Sequence, residues 1–185
     1  MNEKQFRERS SRELREIGKL ALGLASDRDL FQRFELEVVQ PNPDLVGNST
    51  GFVGMIRGAY TDATTMRLRR LLAPEAPLSL RRIIDQLADY PDLLHAKVTK
   101  RELNADSSEL DKLATFLKEN VEPHFSPRER TPGALASAQR ELDRALDRFI
   151  DLLKKYYWVA CDGYLDLEPK YSGDPLAVFR SAWMK

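Results

Sequence analysis

The residues that could do acid–base chemistry crowd into one short stretch, residues 118–124 (Lys-Glu-Asn-Val-Glu-Pro-His). It holds a cation at Lys118, an amide at Asn120 and one of the chain's two histidines, His124. The ordinary pKa of histidine lets it gain or lose a proton near neutral pH, so His124 is the first candidate for proton transfer. The same residues also suit a helix end, where Lys118 would face the negative end of the helix dipole. The stretch leaves a catalytic and a purely structural interpretation open.

A second candidate is a strip of small residues beside an apolar helix face. A helix predicted over about 49–72 carries Gly51, Gly54, Gly58 and Asp62 along one side. Glycine in a helix interior costs up to about 1 kcal/mol, so three on one strip need a reason. One reason is close approach of another helix; the other is a groove where Asp62 meets a ligand or partner. The apolar face beside the strip consists of Phe52, Met55, Ile56, Ala59, Ala63 and Met66.

Other motifs point to no cofactor or metal. Residues 47–54 resemble a phosphate-binding loop, but the lysine of that motif is missing, and helix caps explain the residues better. Cys161 is the only cysteine, which rules out an internal disulfide and a thiolate zinc site. The densest basic cluster is more typical of a solvated face than of a binding site; its members are Arg67, Arg69, Arg70, Arg81 and Arg82.

The composition is that of an ordinary globular protein. In 185 residues, 29 basic side chains balance 29 acidic ones, and 42% of the residues are hydrophobic. Without net charge, binding to nucleic acid would need a local basic patch. No apolar run approaches the ~20 residues that cross a bilayer, and residues 1–19 are too charged for a signal peptide. We expect a cytoplasmic protein without a membrane partner.

Apolar spacing and helix caps predict an all-α fold, an antiparallel helical bundle with long central helices and short, proline-marked loops. Residues 35–39 could instead form a strand. We expect a single domain over 1–185, with N-terminal helices in 1–40, a bundle core in 49–160 and a tail in 161–185. The predicted helices span 3–24, 26–39, 49–72, 79–88, 106 or 107 to 120–122, 132–160, and a short stretch after Asp174.

Three segments together resemble the HEPN superfamily, and within it the branch linked to bacterial abortive infection. They are residues 60–72, with an aspartate and trailing leucines, residues 119–124, and residues 142–157 followed by the tail at 179–183. The resemblance covers most of the chain from about residue 50, in pattern rather than identity. It implies a helical bundle, a homodimer, and metal-independent ribonuclease chemistry in phage defence or toxin–antitoxin systems.

The resemblance also assigns roles to individual residues. The family's motif is an arginine, usually a polar residue after it, and a histidine four to six residues on. Asn120 matches the polar position and His124 the histidine, while Glu119 stands where the arginine is expected. Attack of an RNA 2′-hydroxyl on its phosphate needs a proton acceptor, a proton donor and a cation. In an active protein His124 would be general base or acid and Asn120 would orient the phosphate. Lys118, Arg128 or Arg130 would supply the cation.

Two classes of function follow. The first is an RNA-directed, HEPN-like homodimer with weak or absent ribonuclease activity, because Glu119 would repel phosphate. The alternative is a non-catalytic protein-interaction module that uses the helix at 49–72 and the long helix at 132–160. That long helix has an apolar stripe which we expect a small bundle to leave partly uncovered. A small-molecule pocket beside Asp62 is a third interpretation.

Overall fold

Five α-helices make up most of the computed structural model, which describes residues 3–46, 51–90, 98–125 and 131–160. No β-strand occurs in these ranges, so the all-α prediction is confirmed. The predicted helix after Asp174 lies outside the described residues. A π-helical turn spans Glu35–Val39, and 3-10 turns span Pro43–Val46 and Glu122–Phe125. The α-helices are α1 (Glu3–Phe34), α2 (Phe52–Leu72), α3 (Leu80–Leu87), α4 (Lys100–Asn120) and α5 (Pro132–Ala160).

Helix α5 is at the centre of the core and packs against α1, α2 and α4. Its residues Leu142, Leu146, Phe149 and Leu153 are each 0% exposed. Full burial of such a side chain contributes roughly 1.5–3 kcal/mol, so this stripe is a main source of stability. Over residues 135–156 the stripe is buried, so for this part the expectation that the bundle leaves it partly uncovered is wrong.

Threonine caps start helices α4 and α5, whereas α2 starts after Gly51 without a side-chain cap. Helix α5 begins directly after Thr131, as predicted, and the Thr131 hydroxyl accepts the N–H of Ala134 at 3.2 Å. The predicted start of α4 at 106 or 107 is wrong. The Thr99 hydroxyl accepts the Glu102 N–H at 3.3 Å, and the Glu102 carboxylate accepts the Thr99 N–H at 2.7 Å. This capping box starts the helix at Lys100, six or seven residues earlier than expected.

The first two predicted helices are one. Helix α1 runs without a break through Ser26, because Leu24 and Ala25 are fully buried and continue its apolar stripe. Arg28, in the next turn, donates to Asp147 of α5 at 2.6 Å and ties this part of α1 to the core helix. The strand alternative for 35–39 is also wrong, because the chain continues there as a π-helical turn.

Helix α2 has an unusual inner face. Thr61 and Thr65 are fully buried, and their hydroxyls donate to the carbonyls of Arg57 and Thr61 at 2.9 and 2.7 Å. Bonds to the carbonyl four residues earlier satisfy these hydroxyls, which removes most of the cost of burying them. Of the glycine strip, Gly58 is buried, whereas Gly51 and Gly54 are half-buried, and close approach of another helix stays a prediction.

Candidate functional site

Residues 118–120 form the exposed last turn of α4, and Val121 directly after them is buried in the core. Lys118, Glu119 and Asn120 are all exposed. The Asn120 amide donates to the carbonyl of Phe116, one turn earlier, at 3.0 Å, so it satisfies a carbonyl of its own helix end. The backbone of His124 follows in the 3-10 turn, but its side chain lies outside the part that the structure describes. The geometry gives Asn120 a structural role and leaves the proton-transfer role of His124 a prediction.

The same turn meets the basic end of α2. The guanidinium of Arg69 lies 3.0 Å from the carboxylate of Glu122, an ion pair without a well-directed hydrogen bond. Arg67, Arg69 and Arg70 line a groove of about 450 Å³ on this side. Two features that the sequence showed separately, the arginine cluster and the His124 stretch, are therefore neighbours. Sequence reasoning missed this contact because no local signal links residues so far apart in the chain.

The charges in this arginine groove nearly balance. Arg67 is paired with Asp27 of α1, Arg69 with Glu122, and Glu75 also lines the groove. Arg70 makes no ion pair with any residue that the structure describes. The predicted cation donors Arg128 and Arg130 lie outside the described ranges. The groove could contact an anion through Arg70, but its balanced charge gives little long-range attraction for a polyanion.

The other two arginines of the cluster hold helices together. Arg81 of α3 binds both carboxylate oxygens of Asp111 on α4, at 3.0 and 3.1 Å, and also contacts Asp85 and Ser107. Arg82 lies 3.1 Å from Glu13 of α1. These guanidiniums are occupied by protein carboxylates, so they are structural residues in this fold.

A second exposed feature is the α1–α2 surface, which we define as the outward side of α2 together with the end of α1. On α2, Phe52, Met55 and Met66 are 66%, 63% and 64% exposed. On α1, Leu30 is 70% exposed. Scattered exposed apolar residues are normal, but a contiguous patch marks an interaction surface. A groove of about 420 Å³ runs between the two helices, lined by Leu30, Phe31, Phe34, Ile56, Tyr60 and Ala63, with Asp27, Thr64 and Arg67.

Contacts among α1, α2 and α5 fix the shape of the groove. The rings of Phe31 and Tyr60 stack with centroids 4.2 Å apart, and the Tyr60 hydroxyl donates to Asp143 of α5 at 3.3 Å. Burial raises the pKa of Tyr60 and of Asp143; nearby Arg28 opposes the shift for Asp143. The phenol of Tyr60, bonded to the half-buried carboxyl of Asp143, anchors the groove to α5.

The remaining sequence candidates give no site in the described ranges. Asp62 is half-buried on α2 and lines neither groove. Across residues 3–46, 51–90, 98–125 and 131–160, no three His, Cys, Asp or Glu side chains are grouped so that they could hold a metal ion. None of the helices in those ranges has the length and apolar character needed to cross a bilayer.

Comparison of this chain with protein-family models, with curated proteins and with solved structures finds no match.

Proposed function

We propose that this protein is a non-catalytic interaction module whose α1–α2 surface binds a partner protein. The observation that carries the proposal is the exposure of Phe52, Met55 and Met66 on one side of α2, each above 60%. All three project from a regular helix, so they form a fixed apolar ridge beside the groove. Aromatic residues and Met are enriched in protein–protein interfaces, as they are in this ridge.

The energetics support a binding role. Taking a Phe or Met side chain fully out of water gains roughly 1.5–3 kcal/mol. Burial of the ridge residues and Leu30 against a partner would together contribute several kcal/mol to the binding free energy. Association costs at least about 4 kcal/mol of lost translational and rotational freedom, so binding needs most of the surface rather than one residue.

Photo-crosslinking tests the proposal. A photoreactive amino acid replaces Met55 in cells that produce the full chain, and adducts are identified by mass spectrometry. The matched control carries it at Lys112 on α4, whose side chain is 72% exposed and lies outside the surface. We expect a discrete protein adduct from position 55 that is absent from position 112 and is lost when Met66→Glu is added. Equal adduct patterns from both positions would contradict the proposal.

A second candidate is an RNA-directed HEPN-like function in phage defence or toxin–antitoxin systems. The ion pair between Arg69 and Glu122 supports it, because it brings the arginine groove next to the His124 stretch. Arg70 would then contact a phosphate, and His124 would act as general base or acid. Glu119 and Glu122 oppose a bound phosphate, so we expect cleavage to be weak or absent.

RNA assays separate this candidate from the first. Cleavage of mixed RNA in chelator is compared for the wild type, His124→Ala and Glu119→Arg. Activity that survives in His124→Ala would exclude His124 as the catalytic group. Higher activity in Glu119→Arg would show that this carboxylate suppresses a latent site. Single-stranded RNA binding should weaken in Arg70→Gln but not in Lys112→Gln. Equal affinities of the two variants would show that the arginine groove does not bind RNA.

A further inference from the structure

We infer that the partner on the α1–α2 surface is a second copy of this chain, with two α2 helices packed antiparallel about a two-fold axis at Ala59. This inference rests on the proposed interaction function. It starts from the positions of the exposed apolar residues of α2, which are 52, 55, 59, 63 and 66. The offsets from Ala59 are −7, −4, 0, +4 and +7, so the pattern is the same read in either direction. An isologous interface requires such a pattern, because each surface must match its own copy.

The side chains also match in size. In the antiparallel arrangement residue 59 meets the partner's Ala59, residue 55 meets the partner's Ala63, and residue 52 meets the partner's Met66. The small residue at the axis allows the two helices to approach closely. The large side chain of Met55 meets the small side chain of the partner's Ala63. The aromatic ring of Phe52 meets the thioether of the partner's Met66, which is a favourable contact. Ala59 and Ala63 are exposed, as this arrangement needs.

The charges at the two ends of α2 are complementary. Its C-terminal end carries Arg70, which is exposed and makes no ion pair with any residue that the structure describes. Beside its N-terminal half lies the π-helical turn, whose Glu35 binds Arg57 of α2 with two hydrogen bonds of 2.7 and 2.6 Å. Glu37 in the same turn is exposed. An antiparallel copy brings the cationic end of one α2 toward the acidic turn of the other, whereas a parallel copy would bring like charges together.

A charge-swap experiment tests both the dimer and its register. Light scattering at micromolar concentration should give twice the 21.2 kDa of one chain. Phe52→Lys or Met66→Glu alone should weaken the dimer at least about tenfold, since each change removes two symmetric contacts and 1.4 kcal/mol is a factor of ten. The double variant should recover the dimer, because each lysine then faces the partner's glutamate. Circular dichroism checks that the variants fold. A double variant that dimerises no more tightly than the single variants would overturn the register.

Cysteine crosslinking checks the axis directly in a Cys161→Ser background. Ala59→Cys should form a covalent dimer with a short bismaleimide. Phe52→Cys should not, because the two copies of residue 52 lie about 21 Å apart along the helices at 1.5 Å per residue. Efficient dimers from position 52 and none from position 59 would overturn the antiparallel arrangement.

The outcomes also separate this inference from the proposed function. A monomer at micromolar concentration, with position 55 crosslinked to a different protein, overturns the second copy and keeps the interaction module. An adduct from position 55 to residues 161–185 of the same chain means that the surface is covered internally, and both proposals fail. A dimer whose position 55 crosslinks to its own copy supports both.

Discussion

Helices α5 and α2 both carry an apolar stripe, but the fold uses the two stripes in opposite ways. The stripe of α5 is fully buried, with Leu146 and Phe149 at 0% exposure. On α2 the apolar ridge of Phe52, Met55 and Met66 faces solvent. The difference shows that an apolar stripe marks a face that a helix is able to bury. The packing of neighbouring helices then decides whether that face is buried within the chain.

The reason lies in the inner face of α2. Its threonines donate to carbonyls of their own helix, so they need no partner from another element. Leucines 68, 71 and 72 supply apolar contact at its C-terminal end. Helix α2 can therefore pack inward through a small, self-satisfied face and keep a second apolar face outside. A helix with two packable faces is suited to join a core on one side and a partner on the other.

The largest expected effect is a loss of stability when the buried stripe of α5 is changed. Phe149→Ala removes a fully buried ring from α5 and should lower the free energy of unfolding by about 3–5 kcal/mol. Phe52→Ala removes the same ring from an exposed position of α2. It should leave the concentration-independent part of the unfolding free energy within about 0.5 kcal/mol of wild type.

Urea unfolding at several protein concentrations measures both changes. For Phe52→Ala we expect loss of the concentration dependence rather than loss of the fold. A large, concentration-independent destabilisation by Phe52→Ala would mean that the ridge belongs to the core of a single chain.

A smaller difference in stability is expected between variants of two arginines of the basic cluster, Arg81 on α3 and Arg70 on α2. Arg81→Gln breaks charged contacts from α3 to α4 and should cost about 0.5–1.5 kcal/mol, because Ser107 loses a charged donor while the more exposed Asp111 regains water. Arg70→Gln changes an arginine without an ion pair to any described residue, so thermal melts should shift little. If both variants melt alike, the division of this basic cluster into structural and free members is wrong.

The sequence was sufficient for the elements with strong local signals. Thr131 and Ser79 cap their helices as predicted, because a capping side chain acts within one turn. The continuity of α1 through Ser26 was not predictable, because packing on α5 overrides a favourable cap residue. The exposed ridge of α2 could be listed as an apolar face but not recognised as uncovered, since exposure depends on elements distant in sequence. For the same reason the contact between Arg69 and Glu122 had no sequence signal.

The smallest expected effect concerns the link between the two helices, Tyr60 of α2 and Asp143 of α5. Burial raises the pKa of Asp143 in the folded protein, so ionising this carboxyl costs native-state stability. The penalty is absent below the ordinary aspartate pKa of about 3.9 and grows as pH rises through the raised folded value. Asp143→Asn should therefore melt slightly higher than wild type at neutral pH, with an advantage that vanishes on acidification. Asp147→Asn, at an exposed carboxylate paired with Arg28, is the matched control and should show no gain. If Asp143→Asn melts lower at neutral pH, the contacts of this carboxylate with Arg28 and Tyr60 outweigh its burial, and the α2–α5 junction is held by charge.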